Sequence, residues 1–536
     1  MKFIFVTGGV ISGLGKGIAA ASVGKLLKSR GFKVFMQKLD RYLNYDAGTL
    51  NPGEHGEVFV TDDGAETDLD VGHYERFIDE NLTQDSSIMS GRVYATVIEK
   101  EREGRFLGKT VQVIPHLTAQ VREFIIEGAK KAKADVSVIE VGGTVGDLEG
   151  AYFLEAARQL EREHGHENVM FIHVVYLPFI EASKEVKSRP AQFSVRELQG
   201  IGIAPDAVFC RSDHSIPESA LSKIARASNL PEQAIVPMAT AKSIYEVPLI
   251  LEGFGFGTFL EERLNLPVRI PDLSRWQELV SKVLSPKPKV KVGLVAKYIT
   301  MADTYHSILE AIRSAAWAND HDAEIAWINA EELEENPALA EELLSGHDGL
   351  IVPGGFGNRG IEGKIRAAQF ARENEVPFLG LCLGMQIAVI EFARNVLGLK
   401  RAHSEEFNSK TPDPVIHLMQ HQKGVTKKGG TMRLGSYPCR LSAGSKAKKA
   451  YGRNLVFERH RHRYEFNNKY RRAYEKKGAS FAGIYPKENL VEILELKGHP
   501  FYLGVQFHPE FKSRPDRSHP VFREFIRAAI ESKSLV

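Results

Sequence analysis

The stretch Gly8-Gly9-Val10-Ile11-Ser12-Gly13-Leu14-Gly15-Lys16-Gly17 follows an apolar run at residues 3–6 and precedes an alanine-rich helical pattern. Strand, glycine loop and helix in that order constrain the chain to an α/β layer built around a phosphate-sized turn. Glycines let successive backbone N–H groups face phosphate oxygens, the helix N-terminus adds positive potential, and Lys16 supplies a mobile charge. The stretch reads as a nucleoside triphosphate site; a glycine-rich turn without nucleotide is the alternative that the loop alone leaves open. The pattern is one residue longer than G-x-x-x-x-G-K-[ST], and Gly17 stands where a magnesium-binding hydroxyl usually sits. Any metal there needs carboxylates from elsewhere.

Around this loop, apolar runs at 33–37, 136–141, 169–177 and 207–210 alternate with helical patterns at 15–30, 121–133 and 151–162. The rhythm predicts a mainly parallel sheet covered on both faces, with ligands beyond the carboxyl ends of its strands. Lys38 falls just after one strand, where a second cation can reach a transferring phosphoryl group, although a surface lysine fits the spacing equally. Residues 62–70 read D-D-G-A-E-T-D-L-D. Alone this is a solvated loop, but the missing hydroxyl at position 17 gives its carboxylates a use. Glu140 ends a strand and opens the glycine-rich run to Asp147, a good place for a metal ligand. Asp70 and Glu140 are therefore the expected metal pair. Lys187, Ser188, Arg189, Pro190, Ala191 and Gln192 open a further helix whose start suits an anion, plausibly the phosphates of a second nucleotide; an ordinary exposed basic helix start remains the other reading.

A length of 536 residues exceeds one ordinary core. Pro267, Pro271, Pro286 and Pro288 surround one short helical stretch, so residues 267–289 read as a linker between domains at 1–266 and 290–536. In the second domain, Gly380-Leu381-Cys382-Leu383-Gly384 passes from strand to helix. Small residues two positions either side permit the sharp turn that lifts a nucleophile above a sheet. A second glycine turn, Gly354-Gly355-Phe356-Gly357, can add an oxyanion donor. Gln506-Phe507-His508-Pro509-Glu510 supplies a base for the thiol and a carboxylate to orient it. Arg459-His460-Arg461-His462-Arg463 lacks the cysteines of a metal tract and the aromatics of a nucleic-acid tract. One arginine holding a substrate carboxylate is the economical reading.

Charged residues at 26%, hydrophobic ones at 43% and a formal net charge of +2 give no global field toward nucleic acid or a membrane. Cys210, Cys382 and Cys439 form neither a metal spacing nor a disulfide framework, which fits a reducing cytoplasm. No charged leader with a long apolar region and no window of membrane-spanning length is present in the sequence.

Through GGVISGLGKG, HGEVFVTDDGAETDLDVGHYERF, QVIPH and EVGGTVGDLE the first half resembles the amidoligase domain of the CTP synthase family. Through VPGGFG, GLCLGMQ, RHRYE and GVQFHPE the second is similar to class I glutamine amidotransferases. The resemblance implies a P-loop, dethiobiotin-synthetase-like parallel-sheet domain followed by an amidotransferase α/β domain. It implies ATP-dependent amination of UTP with ammonia from L-glutamine. Lys16 and Lys38 would then sit at the ATP phosphates, Gly13, Leu14, Gly15, Lys16, Gly17, Ile18 and Asp70 would bind ATP, and Asp70 and Glu140 would hold Mg2+. Ser12, the 187–192 run and Lys223 would contact UTP, while Asp147, Leu148 and Glu149 would recognise inhibitory CTP. Cys382, His508 and Glu510 resemble the triad, and Gly355, Leu383, Gly384, Met385, Gln386, Glu406 and Arg463 the glutamine contacts. A homotetramer and GTP activation, through Arg359, are further implications. Two departures stand out: Asp40-Arg41-Tyr42 where the family commonly has Asp-Pro-Tyr, and Ala47-Gly48-Thr49-Leu50 where it has Pro-Gly-Thr-Met. Two other readings compete with this one, an amidoligase that activates a carboxylate and a non-catalytic nucleotide switch.

Overall fold

Apolar runs that alternate with helices build two separate sheets in the computed structural model, which describes residues 1–11, 13–297, 299, 301–419, 422, 424 and 429–533. The first compact unit contains residues 1–47 and 70–285, and the second 48–69 and 286–536.

In the first unit seven strands are all parallel: β1 (Lys2–Gly8), β2 (Val34–Asp40), β3 (Ser87–Met89), β4 (Val136–Val141), β5 (Val169–Tyr176), β6 (Ala207–Ser212) and β7 (Ile235–Ala239), in the order β7-β6-β5-β1-β4-β2-β3. Helices cover both faces of such a sheet, so its central strands are continuous apolar runs. Phe3, Ile4, Phe5 and Val6 have no exposed surface. Acidic and basic side chains concentrate at the carboxyl ends, Lys38 and Asp40 on β2 and Glu140 on β4. Register places Glu140 beside Val6 on one side and Lys38 on the other. β7 contains Pro237 and escapes an apolar-run criterion; its place at the sheet edge tolerates the missing N–H.

The main sheet of the second unit has nine strands among the described residues: β8 (Lys289–Ala296), β9 (Asp322–Asn329), β10 (Gly349–Val352), β11 (Phe378–Leu381), β12 (Arg433–Leu441), β13 (Leu455–His462), β14 (Ala479–Tyr485), β15 (Leu490–Leu496) and β16 (Tyr502–Val505). Their order is β9-β8-β10-β11-β16-β15-β14-β12-β13, parallel from β9 to β16 and antiparallel beyond.

Packing divides the chain differently from the proline pattern. The helix Ser274–Leu284, inside the expected linker, belongs to the first unit, where the Trp276 indole N–H donates to the Tyr245 carbonyl at 2.8 Å and its ring lies 5.3 Å from Phe77. Residues 48–69 leave the 1–266 block and pack within the second unit. Fully buried Arg459 pairs with Asp62 at 2.6 Å, Arg461 with Glu66 at 2.7 Å, and the Ser307 N–H donates to Glu57 at 2.8 Å. A guanidinium removed from water needs such partners, so these pairs tie the segment down. No helix among the described residues is long and apolar enough to cross a membrane.

The Arg433–Glu492 pair at 2.8 Å lies between β12 and β15 with side-chain exposures of 3% and 0%. Burial raises the Glu492 pKa, and Arg433 opposes that rise. Arg433→Ala removes the guanidinium from this buried carboxylate, leaving His460 at 3.5 Å, and should cost about 3–5 kcal/mol, read in the denaturant transition of the second unit. A loss within the surface range, roughly 0.5 kcal/mol, would mean that the pair contributes nothing.

Candidate active sites

The phosphate loop leaves β1 at Gly8 and enters the helix α1 (Lys16–Ser29) through Gly13 and Gly15, at φ 74° and 82°. Both positions lie in the left-handed region that glycine tolerates. Ser12 lies outside the described residues. Leu14 and Ile18 flank the turn, Leu14 buried. Lys16 is 9% exposed, its ammonium donates to the Gly143 carbonyl at 2.6 Å, and burial lowers its pKa.

Gly17 explains its own missing hydroxyl. A Cβ there would come 2.3 Å from Asp70 Oδ1 and 3.4 Å from Glu140 Oε2. The carboxylate occupies the space a serine or threonine would need. Asp70 stands in the first turn of the helix α2 (Leu69–Ile78), and Lys38 pairs with it while lying 3.7 Å from Glu140 Oε1. The Tyr74 hydroxyl donates to Glu140, whose carboxyl burial pushes up although Lys38 and Lys16 oppose. Two carboxylates facing a phosphate loop suit magnesium, which takes few protein ligands and completes its octahedron with phosphate oxygens and water. No cluster of three or more His, Cys, Asp or Glu that could hold a metal ion gathers among the described residues.

Lys187, Ser188, Arg189, Gln192 and Lys223 line one cavity of about 690 Å³ at the start of the helix α3 (Arg189–Gly200). Pro190 occupies the first turn and Ala191 is buried beneath it. Asp147 and Leu148 line a different cavity, with Phe193 and Arg196 further along α3. The structure thus brings the basic run and Lys223 together and leaves Asp147, Leu148 and Glu149 apart from them. Arg41 pairs with Asp147 and stands 3.5 Å from Glu149.

In the second unit Cys382 joins β11 to the helix α4 (Leu383–Asn395) at φ 50° and ψ −100°, a strained conformation for a residue with a side chain. Close approach explains the flanking glycines: a Cβ on Gly384 would meet the Val352 carbonyl at 2.0 Å, and one on Gly380 the Gly384 carbonyl at 2.5 Å. His508 Nδ1 is 2.7 Å from Glu510 Oε1, and Cys382, His508 and Glu510 line one cavity with Gly354 and Gly355. A Cβ on Gly354 would lie 3.0 Å from His508 Cε1 and 3.6 Å from Cys382 Cβ, so only hydrogen there keeps the space between base and thiol clear. Burial opposes a charged imidazole, but Glu510 and Cys382 outweigh it and lift His508 to about 10.

Gly355, Leu383, Gln386, Glu406 and Arg463 line an adjoining cavity of about 620 Å³ that also reaches Cys382. Gly384 and Met385 do not line it; they are packed against β10 and β16. Arg463 donates to Gln422 at 2.6 Å and Thr431 at 2.8 Å, and Arg359 lies 3.4 Å from Glu331. Burial raises Glu406 to about 7 against a Gly357 N–H and Lys297. Sequence reasoning missed Lys297, which donates to the Gly357 carbonyl at 3.1 Å. Its signal was available: it follows a buried strand, β8, as Lys38 stands near the carboxyl end of β2. It also missed Gly48, Thr49, Leu50 and Pro52, which line the same cavities.

A family profile described as CTP synthase N-terminus matches residues 2–266, and one described as glutamine amidotransferase class-I matches residues 300–528. A CTP synthase of Caldanaerobacter subterraneus is 54% identical over 99% of this chain and 99% of its own. One of Dehalococcoides mccartyi is 55% identical over 98% and 97%. Among solved structures, the glutaminase domain of Trypanosoma brucei CTPS with bound acivicin is 40% identical, covering 45% of this chain and 94% of that one at a TM-score of 0.43.

Gly17→Ala should push the Asp70 carboxylate from the loop and weaken Mn2+-dependent ATP binding by about 10–100-fold. Titration followed by the paramagnetic signal of free Mn2+ measures this. Unchanged affinity would remove Asp70 from the ligand set.

Proposed function

Because the chain belongs to the CTP synthase family, and is on that ground a glutamine-hydrolysing ligase of pyrimidine nucleotide synthesis, we propose that its two sites divide one amination. Lys16 and Lys38 hold the γ-phosphoryl of ATP while the uracil 4-oxygen of UTP attacks it. Both cations neutralise charge as it spreads over the transferring oxygens. Asp70 and Glu140 would hold Mg2+, which supplies further neutralisation when bound. The resulting 4-phosphoryl group is a good leaving group, and ammonia displaces it as phosphate to give CTP.

Ammonia arises at the second site. Cys382 attacks the glutamine carboxamide, His508 relays the thiol proton to departing ammonia, and Glu510 keeps the imidazole charged and oriented. Glu406 and Arg463 take the α-ammonium and α-carboxylate of glutamine. Released ammonia in bulk water at neutral pH would protonate and lose its lone pair, so a shielded passage to the phosphorylated pyrimidine belongs to this reading. The UTP phosphates fall to the 187–192 run and Lys223, and CTP recognition to Asp147 and Glu149. A homotetramer, GTP activation near Arg359 and a cytoplasmic location complete the proposal. The observation that supports it most is the convergence of Lys38, Asp70 and Glu140, from three separate elements, on the loop that carries Lys16.

Cys382→Ala should abolish CTP formation from glutamine and retain formation from added ammonium salt; loss of both would contradict separate sites. Lys16→Ala should lower both routes by about 10²–10³ with glutaminase activity intact. Glu406 adds a pH signature. With its carboxyl raised to about 7, it is neutral below that pH and anionic above it, so the glutamine KM should fall as pH rises through 7. A KM flat from pH 6 to 8 would remove Glu406 from the α-ammonium.

A further inference from the structure

Gln506 follows β16 directly and precedes His508 by two residues, and its side chain meets the proposed nucleophile. Its Nε2 donates to Cys382 Sγ at 3.7 Å, a length that the larger radius of sulfur allows. The backbone holds both partners in place: the Gln506 N–H donates to the Glu492 carbonyl at 2.9 Å, and the Cys382 N–H to the Val505 carbonyl at 2.7 Å. The contact is closed to water, with Gln506 1% exposed.

The direction of the Gln506 amide follows from its partners. Gln386 Nε2 donates to the Tyr464 carbonyl at 3.0 Å and to Gln506 Oε1 at 3.3 Å. A carbonyl only accepts, so it fixes which end of the Gln386 amide faces it. The same nitrogen takes the Gln506 oxygen, and the Gln506 nitrogen is left facing the sulfur. Turning either amide over would set two acceptors or two donors against each other in a buried place, where an unmade hydrogen bond costs most. The other neighbour of the thiol is an acceptor, the Arg461 carbonyl at 3.8 Å from Sγ. It suits an S–H and offers nothing to a thiolate, which needs donors.

We propose that Gln506 is a catalytic residue of the thiol site, donating to the sulfur as it becomes anionic, with Gln386 as the positioning residue that turns its amide. This rests on the reading of Cys382 as the nucleophile. In the step concerned the thiol proton goes to His508, the sulfur keeps the electron pair, and the Gln506 N–H meets that charge. The pair then forms the bond to the carboxamide carbon and returns to sulfur when water breaks the thioester. Hydrogen bonds to a charged acceptor are about twice as strong as neutral ones, so the contact counts most before attack and on release. Glu57, Glu406, Arg461, His462, His508 and Glu510 line the cavities that reach this sulfur, and none of them is changed in the variants below.

The test is alkylation of the full chain by iodoacetamide as a function of pH, followed by mass at Cys382 and by loss of glutaminase activity. Gln506→Leu should raise the pH of half-maximal rate by about one. It should also lower the glutamine-dependent kcat about tenfold with little change in glutamine KM. Gln506→Glu keeps the shape and the oxygen that meets Gln386 but sets a carboxylate against the sulfur, and should raise the half-maximal pH at least as far. Gln386→Leu leaves the Gln506 amide free to turn and should raise it in part. These last two variants decide the matter if Gln506→Leu does not fold. A half-maximal pH unchanged in the folded variants, whatever their stability, would overturn the inference. If alkylation of the unaltered chain misses Cys382, or reaches it and leaves glutaminase activity intact, the reading of that thiol fails. If it reaches Cys382 and abolishes activity, and the Gln506 variants share the native profile, only the role of Gln506 fails.

Discussion

Opposed charges at the carboxyl ends of buried parallel strands are the constraint on which the first site depends. Lys38 and Glu140 are register partners on β2 and β4, and Asp70 reaches the same ammonium from the start of α2. None of these groups can sit alone in that environment, because each isolated buried charge carries a desolvation cost of several kcal/mol. Lys38 thus lies between the two carboxylates, paired with Asp70 and 3.7 Å from Glu140. In the proposed reading, a nucleotide with its metal would supply an anion for the lysines and a cation for Asp70 and Glu140. Burial lowers the Lys16 pKa and raises that of Glu140, so each group disfavours its own charged form unless an opposite charge lies near.

The second unit reaches a comparable result by backbone geometry. Cys382, the proposed nucleophile, also stands beyond the end of a central parallel strand, but there a strained φ and two close backbone approaches aim the side chain. Burial opposes charge on the imidazole, but Glu510 and the Cys382 sulfur in its thiolate form raise the His508 pKa. Lys297 after β8 and Lys38 on β2 are similar solutions on unrelated sheets: a cation set where a buried strand ends and its stem stays covered.

Much of this was legible in the residues. Glycine loops, the Cys382 elbow and the His508-x-Glu510 pair are local patterns whose geometry follows from chain stereochemistry, and they fell where their spacing required. Gly17 points to carboxylates from elsewhere in the chain, and the Asp70 carboxylate does lie against it, 2.3 Å from where a Cβ would be. What sequence could not reveal was long-range. The attachment of residues 48–69 to the second unit depends on Arg459 and Arg461 meeting Asp62 and Glu66, with 397 and 395 positions between partners. Neither acidic loop nor arginine tract announces the other. Likewise the prolines around 274–284 resemble a linker because periodicity is broken there, whereas the buried face of Trp276 fixes that helix in the first unit.

The central claim is that the pyrimidine 4-oxygen becomes a phosphate ester before nitrogen replaces it. UTP carrying 18O at that position tests it directly, with ATP and ammonium salt as the other reactants and both inorganic phosphate and water analysed by mass. The account predicts one atom of label in each phosphate released with CTP. Unlabelled phosphate, with the 18O recovered in water, would contradict it.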